Sequence, residues 1–270
     1  MPAQAATGSI TGIAGKCVDN QKWNAPGSGG GGGGGFVVSE SQFNSLFPGR
    51  NGFYTYSGLV SAMSACPAFA TTGSDTVKKQ EAAAFLANVA HETGNLVYVT
   101  EIDKSGNHCD ASQSYGCPAG TFAYYGRGPI QLSWNFNYQA AGDALGINLL
   151  GNPHLVEQDS AISWKTGLWY WMTQTGPGSM TGHNAMVNGA GFGRTIRSIN
   201  GSLECDGRNP AQVQSRVDNY NRIADDPAQA EPLAITSVGF WGMTRPGSKE
   251  IANRARPRAE AGTSTTMGRR

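Results

Sequence analysis

The sequence predicts a mainly α fold for the body of the chain, residues 36–226. Three observations predict it. Apolar residues recur at helical spacing in several segments, residues that start and stop helices bracket those segments, and alternating strand-like patterns are few and short. With 14% charged residues and 38 glycines in 270 residues, the chain reads as a soluble, loop-rich globular protein rather than a disordered or coiled one.

The clearest helix is "TVKKQEAAAFLANVAHET". Ala82, Phe85, Leu86 and Val89 stand at i, i+3, i+4 and i+7, Ser74 or Asp75 is placed to cap its start, and Gly94 to end it. "LVYVT" after it reads as a short strand or an extended loop. "SWNFNYQAAGDAL" is a second helix, with Ser133 placed as its N-cap. "AISWKTGLWYWMTQ" is apolar on most sides and so predicts a buried helix. "QVQSRVDNYNRIA" is a fourth.

Both ends differ from the body. Seven consecutive glycines, Gly29 to Gly35, mark a flexible linker, and the piece before them, residues 1–28, is too short to fold alone. Residues 227–270 lose the apolar pattern and read as a solvated, disordered tail. Net charge is +1, but Thr244 to Arg270 alone carries seven Lys/Arg against two Asp/Glu. The remainder is slightly acidic, which argues against a nucleic-acid partner and for a neutral substrate. No apolar run is long enough to span a membrane. "MPAQAATGSI" has neither the charged nor the apolar region of a signal peptide, and reads as a mature N-terminus with an added Met.

The five cysteines, Cys17, Cys66, Cys109, Cys117 and Cys205, form no CxxC pair, which argues against a zinc ribbon. Cys109 and Cys117 bracket "CDASQSYGC", a loop that a disulfide would close, consistent with a secreted protein. An odd count leaves at least one thiol unpaired.

Two glutamates are the candidates for the chemistry, with ordinary solvated charge as the competing reading of their spacing. Phe85, Val89 and Glu92 stand at i, i+4 and i+7, so Glu92 lies on the apolar stripe in the last helical turn. Burial and the negative end of the helix dipole both favour its protonated form, the state a general acid requires. Glu101 follows the break at Gly94-Asn95 and is free to face Glu92 across a cleft as an ionised general base. "HETGN" lacks the second histidine of H-E-x-x-H, so no metal is expected. "GFGRTIRSING" is not a dinucleotide fingerprint, and neither a phosphate-binding P-loop nor a G-x-S-x-G elbow occurs, so no cofactor is expected.

Four segments in order, "AHETG", "FAYYGRGPIQLSWNFNYQAAG", "NPHLVEQDSAISWKTGLWYWM" and "INGSLECDGRN", resemble family 19 glycoside hydrolases, the chitinases, over Ser39 to Ala224. The short segment between the glutamates is closer to the compact bacterial members than to the plant ones. The resemblance implies a two-lobed, lysozyme-like fold with the cleft between lobes. It implies endo-hydrolysis of β-1,4 bonds between N-acetylglucosamine units, with inversion. Glu92 matches the general acid and Glu101 the general base, a pair that should stand roughly 6.5–9.5 Å apart. Ser133 matches a residue that holds the attacking water. Gln131, Asn137, Lys165 and Asn200 match sugar-binding groups, and Tyr125 and His91 are further candidates. Glu204 and Arg216 match an ion pair near the acid, where the guanidinium would lower the acid's pKa and Glu204 would offset that effect; a plain interlobe salt bridge is the competing reading. The substrate expected is chitin or chitooligosaccharides, for a secreted, extracellular monomer.

The resemblance leaves two other readings on the table. A peptidoglycan-cleaving muramidase or endolysin shares the fold, and a carbohydrate-binding protein without turnover is a third class that the two glutamates and Ser133 argue against. Plant members pair the position of Cys205 with a cysteine that is absent here, so Cys205 either pairs elsewhere, with Cys66 as a candidate, or stays free. Near the start, "ITGIAGKCVDN" resembles the opening of a ricin-type β-trefoil carbohydrate-binding module, reduced to a remnant without binding activity.

Overall fold

A computed structural model describes residues 35–224. Residues 1–34 and 225–270 lie outside the described residues, and with them the expected module remnant, most of the expected linker and the basic tail. Nine α-helices lie within the described residues, with two isolated β-bridges as the pairing outside helices.

The first two helices are α1 (Glu40–Leu46) and α2 (Tyr56–Met63). Ser39 opens α1 with a reciprocal capping box to Gln42, and the Thr55 hydroxyl caps α2. The long helix α3 (Asp75–Thr93) is where the apolar spacing places it. Ser74, not Asp75, is its cap, accepting from the Val77 amide, and Gly94 closes it at φ 59°. Helix α4 (Asn135–Leu145) starts one residue later than the Ser133 cap reading requires. Its flanking residue is Trp134 at φ 75°, and the Ser133 hydroxyl donates to the Gln131 carbonyl instead. Ser133 is therefore not a helix cap.

A short α5 (Leu155–Gln158) leads into α6 (Ser160–Thr173), which is buried as its composition predicts: Trp164, Leu168, Trp169, Tyr170 and Trp171 are all inaccessible or nearly so. Then follow α7 (Gly182–Val187), α8 (Phe192–Glu204) and α9 (Pro210–Ala224). Helix α8 kinks at Asn200, whose φ and ψ are −143° and 29°.

Helix α3 packs along α9, and α2 along α6. Between α3 and α6 the core is aromatic: Phe85 lies 5.5 Å from Trp171 and 5.1 Å from Phe69, ring centre to ring centre. A polar group sits within this core. The fully buried Glu81 of α3 accepts from the Trp171 indole at 3.0 Å, the Ala70 amide at 3.0 Å, and bonds His183 of α7 at 2.7 Å. The neighbouring Gly182 allows that docking, because a Cβ there would lie 2.5 Å from the Trp171 ring. Trp171 is anchored on Glu81 and has no room to yield. Gly182→Ala is therefore expected to cost about 1–3 kcal/mol, read as a lower urea midpoint at unchanged slope.

Cys109 and Cys117 form the disulfide that their spacing predicts. Cys205 is a free, buried thiol, so the candidate pairing with Cys66 is not made.

Candidate active site

Glu92 sits in the last turn of α3, where the periodicity places it, with its side chain 3% exposed. Its Oε1 accepts from Arg216 Nη2 of α9 at 2.5 Å. The same guanidinium holds Glu204 of α8 with two bonds, from Nε at 2.8 Å and from Nη2 at 2.7 Å. Asn200, at the α8 kink, donates to Glu204 Oε1 at 2.7 Å. The kink thus serves the site: it turns the Asn200 amide onto a carboxylate one turn later in the same helix.

The third nitrogen of that guanidinium, Nη1, donates to Asn88 Oδ1 at 3.1 Å. Asn88 lies one turn before Glu92 on α3. Its own amide donates to the Ala84 carbonyl and to Thr195 Oγ1, and Thr195 donates onward to the Phe192 carbonyl. These directions lock the amide with its oxygen toward the guanidinium.

Burial disfavours the charge of Arg216, but the Glu92 and Glu204 carboxylates outweigh it and raise its pKa above the ordinary arginine value. For Glu204, burial acts to raise the pKa, while the hydrogen bonds and charge of Arg216 and the Asn200 bond carry it below the usual carboxylate range. Burial and then the charge of Arg216 lower the pKa of His91, whose Nδ1 lies 3.0 Å from Ser215 Oγ of α9. The Tyr170 phenol is raised by burial and by the charge of Glu92.

Glu101 is placed by a different device. After Gly94, Asn95 and Leu96 also adopt left-handed conformations, at φ 64° and 62°. A buried leucine there is strained backbone, of the kind that gathers at functional sites. The chain then runs alongside residues 126–128: the Glu101 amide donates to the Gly126 carbonyl at 2.7 Å, the Gly128 amide to the Val99 carbonyl at 2.8 Å, and Thr100 bridges Arg127. "LVYVT" is thus a turn at Leu96 and Val97 followed by a loop with a single bridge at Thr100, and not a strand. Glu101 Oε2 accepts from the Gly126 amide at 3.0 Å, and the side chain is 25% exposed.

Gln131, at φ 49°, donates to the Gly128 carbonyl and lies against Gly126, as does Glu101. Ser133 is fully buried, and its carbonyl accepts from Asn137 Nδ2 at 2.8 Å. Asn135 ties this segment to the disulfide loop by bonding the Asp110 amide and the Asp110 and Gly116 carbonyls. His108 is buried against Trp134, with Nδ1 3.9 Å from Glu101 Oε2.

The Tyr125 ring carries the Arg127 guanidinium 3.6 Å from its centre and Lys104 Nζ at 4.7 Å, and its hydroxyl donates to Glu157. Tyr125 is half-buried, and Tyr124 beside it is core. Lys165 is half-buried on α6 and has no ion pair among the described residues.

The structure therefore gathers Glu92, Arg216, Glu204 and Asn200 in one bonded cluster, with His91 beside it. Glu101 and Gln131 meet at Gly126, and Asn137 meets Ser133. Lys165 and Tyr125 belong to neither group of contacts. Sequence reasoning missed Asn88, Thr195, Ser215, His108 and Asn135. Only Asn88 left a trace, as a polar residue in the middle of a buried helical stripe. Among the described residues, no group of three or more His, Cys, Asp or Glu side chains is placed to hold a metal, and no helix is long and apolar enough to cross a membrane.

The family model for class I chitinases of glycoside hydrolase family 19 matches residues 37–226. The crystal structure of a bacterial family 19 chitinase is 75% identical to this chain, covering 70% of it and 93% of that protein, with a TM-score of 0.68. Chitinase C from Streptomyces griseus HUT6037 is 70% identical, covering 72% and 94%, with a TM-score of 0.71. Endochitinase A of Zea mays is 46% identical over 194 aligned positions, a match that covers 69% of this chain but only 65% of that relative's length. These matches and the helical architecture identify the fold as mainly α and lysozyme-like, and the chain belongs to glycoside hydrolase family 19, the chitinases.

Proposed function

We propose that the chain is an endo-acting, inverting chitinase of the compact bacterial type, cleaving β-1,4 bonds between N-acetylglucosamine units. Residues 36–226 are its catalytic domain. The contrast between its two carboxylates carries this reading: Glu92 is 3% exposed and bonded to a guanidinium, whereas Glu101 is 25% exposed and bonded to one backbone amide. Two carboxylates in unlike environments divide the acid and base roles. Higher identity to the bacterial structures than to the maize enzyme supports the bacterial type.

Arg216 is one cation between two carboxylates, so a single proton brings that buried cluster to neutrality. Glu204 takes two bonds from Arg216 and one from Asn200, and stays ionised. Glu92 Oε2 has no bond among the described residues and is the oxygen free to deliver a proton. In the reaction Glu92 gives this proton to the glycosidic oxygen as the C–O bond breaks. Water attacks the anomeric carbon from the opposite face, and Glu101 takes its proton, giving inverted configuration. Ser133 holds that water with Glu101.

Gln131, Asn137, Lys165, Asn200, His91 and Tyr125 bind the sugar chain, while Glu204 and Arg216 position Glu92. The enzyme works outside the cell as a monomer, on chitin or chitooligosaccharides, without metal or cofactor. Solubilisation of colloidal chitin is the expected activity. Clearing of bacterial cell walls with no release from chitin would contradict it.

A further inference from the structure

Glu101 has a neighbour that the mechanism above does not use. His108 is 8% exposed, and its Nδ1 has no hydrogen bond among the described residues. Buried polar atoms are nearly always paired, so an unpaired one needs a cause. The imidazole is held in place. Its ring meets the Trp134 indole edge-on at 5.6 Å, and its carbonyl accepts from the Asn135 amide at 3.1 Å. It also lies over Gly106, where a Cβ would come within 3.0 Å of Cε1. So placed, Nδ1 stands 3.9 Å from Glu101 Oε2, the oxygen that already accepts from the Gly126 amide. Glu101 Oε1 has no bond among the described residues.

Resting on the assignment of Glu101 as base, we infer that His108 is its positioning residue. The imidazole and the Gly126 amide hold Oε2 from two sides, and this aims Oε1 at the attacking water. The 3.9 Å gap is too long for a direct hydrogen bond. One bridging water or a small rotation of the carboxylate closes it, as catalytic contacts commonly tighten when substrate binds. Anchoring of this kind acts on orientation, so it affects turnover rather than sugar affinity.

The test is steady-state kinetics on a chitin hexasaccharide with His108→Phe, His108→Gln and Glu101→Gln. Phenylalanine keeps a ring against Trp134 and Gly106 but removes the nitrogen. Glutamine restores a polar group within reach of Oε2. His108→Phe is expected to lower kcat about tenfold or more at unchanged KM, with His108→Gln recovering most of it. Unchanged kcat in His108→Phe beside an inactive Glu101→Gln would overturn the inference and leave the base assignment standing. A raised KM at unchanged kcat would also overturn it, because His108 would then contact sugar. Full turnover in Glu101→Gln would remove the base assignment, and this inference with it.

Discussion

Glu92→Gln is expected to lower kcat by about 10²–10⁴-fold, the usual contribution of a positioned general acid. The amide fills the same volume, and its oxygen can still accept from Arg216 Nη2. What is lost is an Oε2 able to deliver a proton, so binding of chitooligosaccharide, measured by calorimetry, should survive. Stability should hold or improve. Glu92, Glu204 and Arg216 form a buried group with two carboxyl groups for one cation, and the substitution keeps the Arg216–Glu204 pair intact. Active sites commonly give up stability for function in this manner. A variant with full turnover would remove Glu92 from the role of acid.

Arg216→Leu should have the largest structural effect. The guanidinium is fully buried and bonds Glu92, Glu204 and Asn88. Its removal strands two carboxylates out of water, and breaking a buried ion pair on one side costs about 3–5 kcal/mol. Turnover should fall as well, since Glu92 loses its anchor.

The pH dependence has a definite sign. The pKa of Glu204 is lowered in the folded protein. Its partnership therefore stabilises fully above the ordinary carboxylate range, and that stability is lost as pH falls through the lowered folded value. The deficit of Arg216→Leu should be greatest near neutral pH and shrink on acidification below about pH 4. Urea denaturation of both proteins across that range checks this, and a deficit that grew with acidity would contradict it.

What was legible in the sequence follows from the range of the interactions. Helix α3 could be delimited because Ser74 and Gly94 carry cap chemistry within a few residues. Glu92 could be singled out because a carboxylate on an apolar stripe is a local anomaly. The start of α4 was misplaced because Trp134 takes a left-handed conformation that tertiary packing imposes, and no local signal announces it. Helix α8 carries Phe192, Ile196, Ile199 and Leu203 at helical spacing, but "GFGRTIRSING" was weighed only as a nucleotide motif, so this helix was missed although its signal was present.

The expectation for Glu101 as base leaned on the family resemblance. Nine residues from Glu92 says nothing until residues 94–96 reverse the chain and Gly126 receives it. Asn88 and Arg216 are 128 positions apart, and Asn88 and Thr195 107 apart. Contacts at such range leave no pattern in one sequence. The interlobe reading of Arg216 was too narrow: one guanidinium both joins helices and grips Glu92.

Time-resolved proton NMR of a chitin hexasaccharide during hydrolysis tests the acid–base assignment most directly, because the anomer formed first records the face that water attacked. New α-anomeric reducing ends in the earliest spectra are expected, since a water activated by Glu101 opposite the leaving group inverts the anomeric carbon. Initial β-anomer would mean retention, and Glu101 would not be the base for that water.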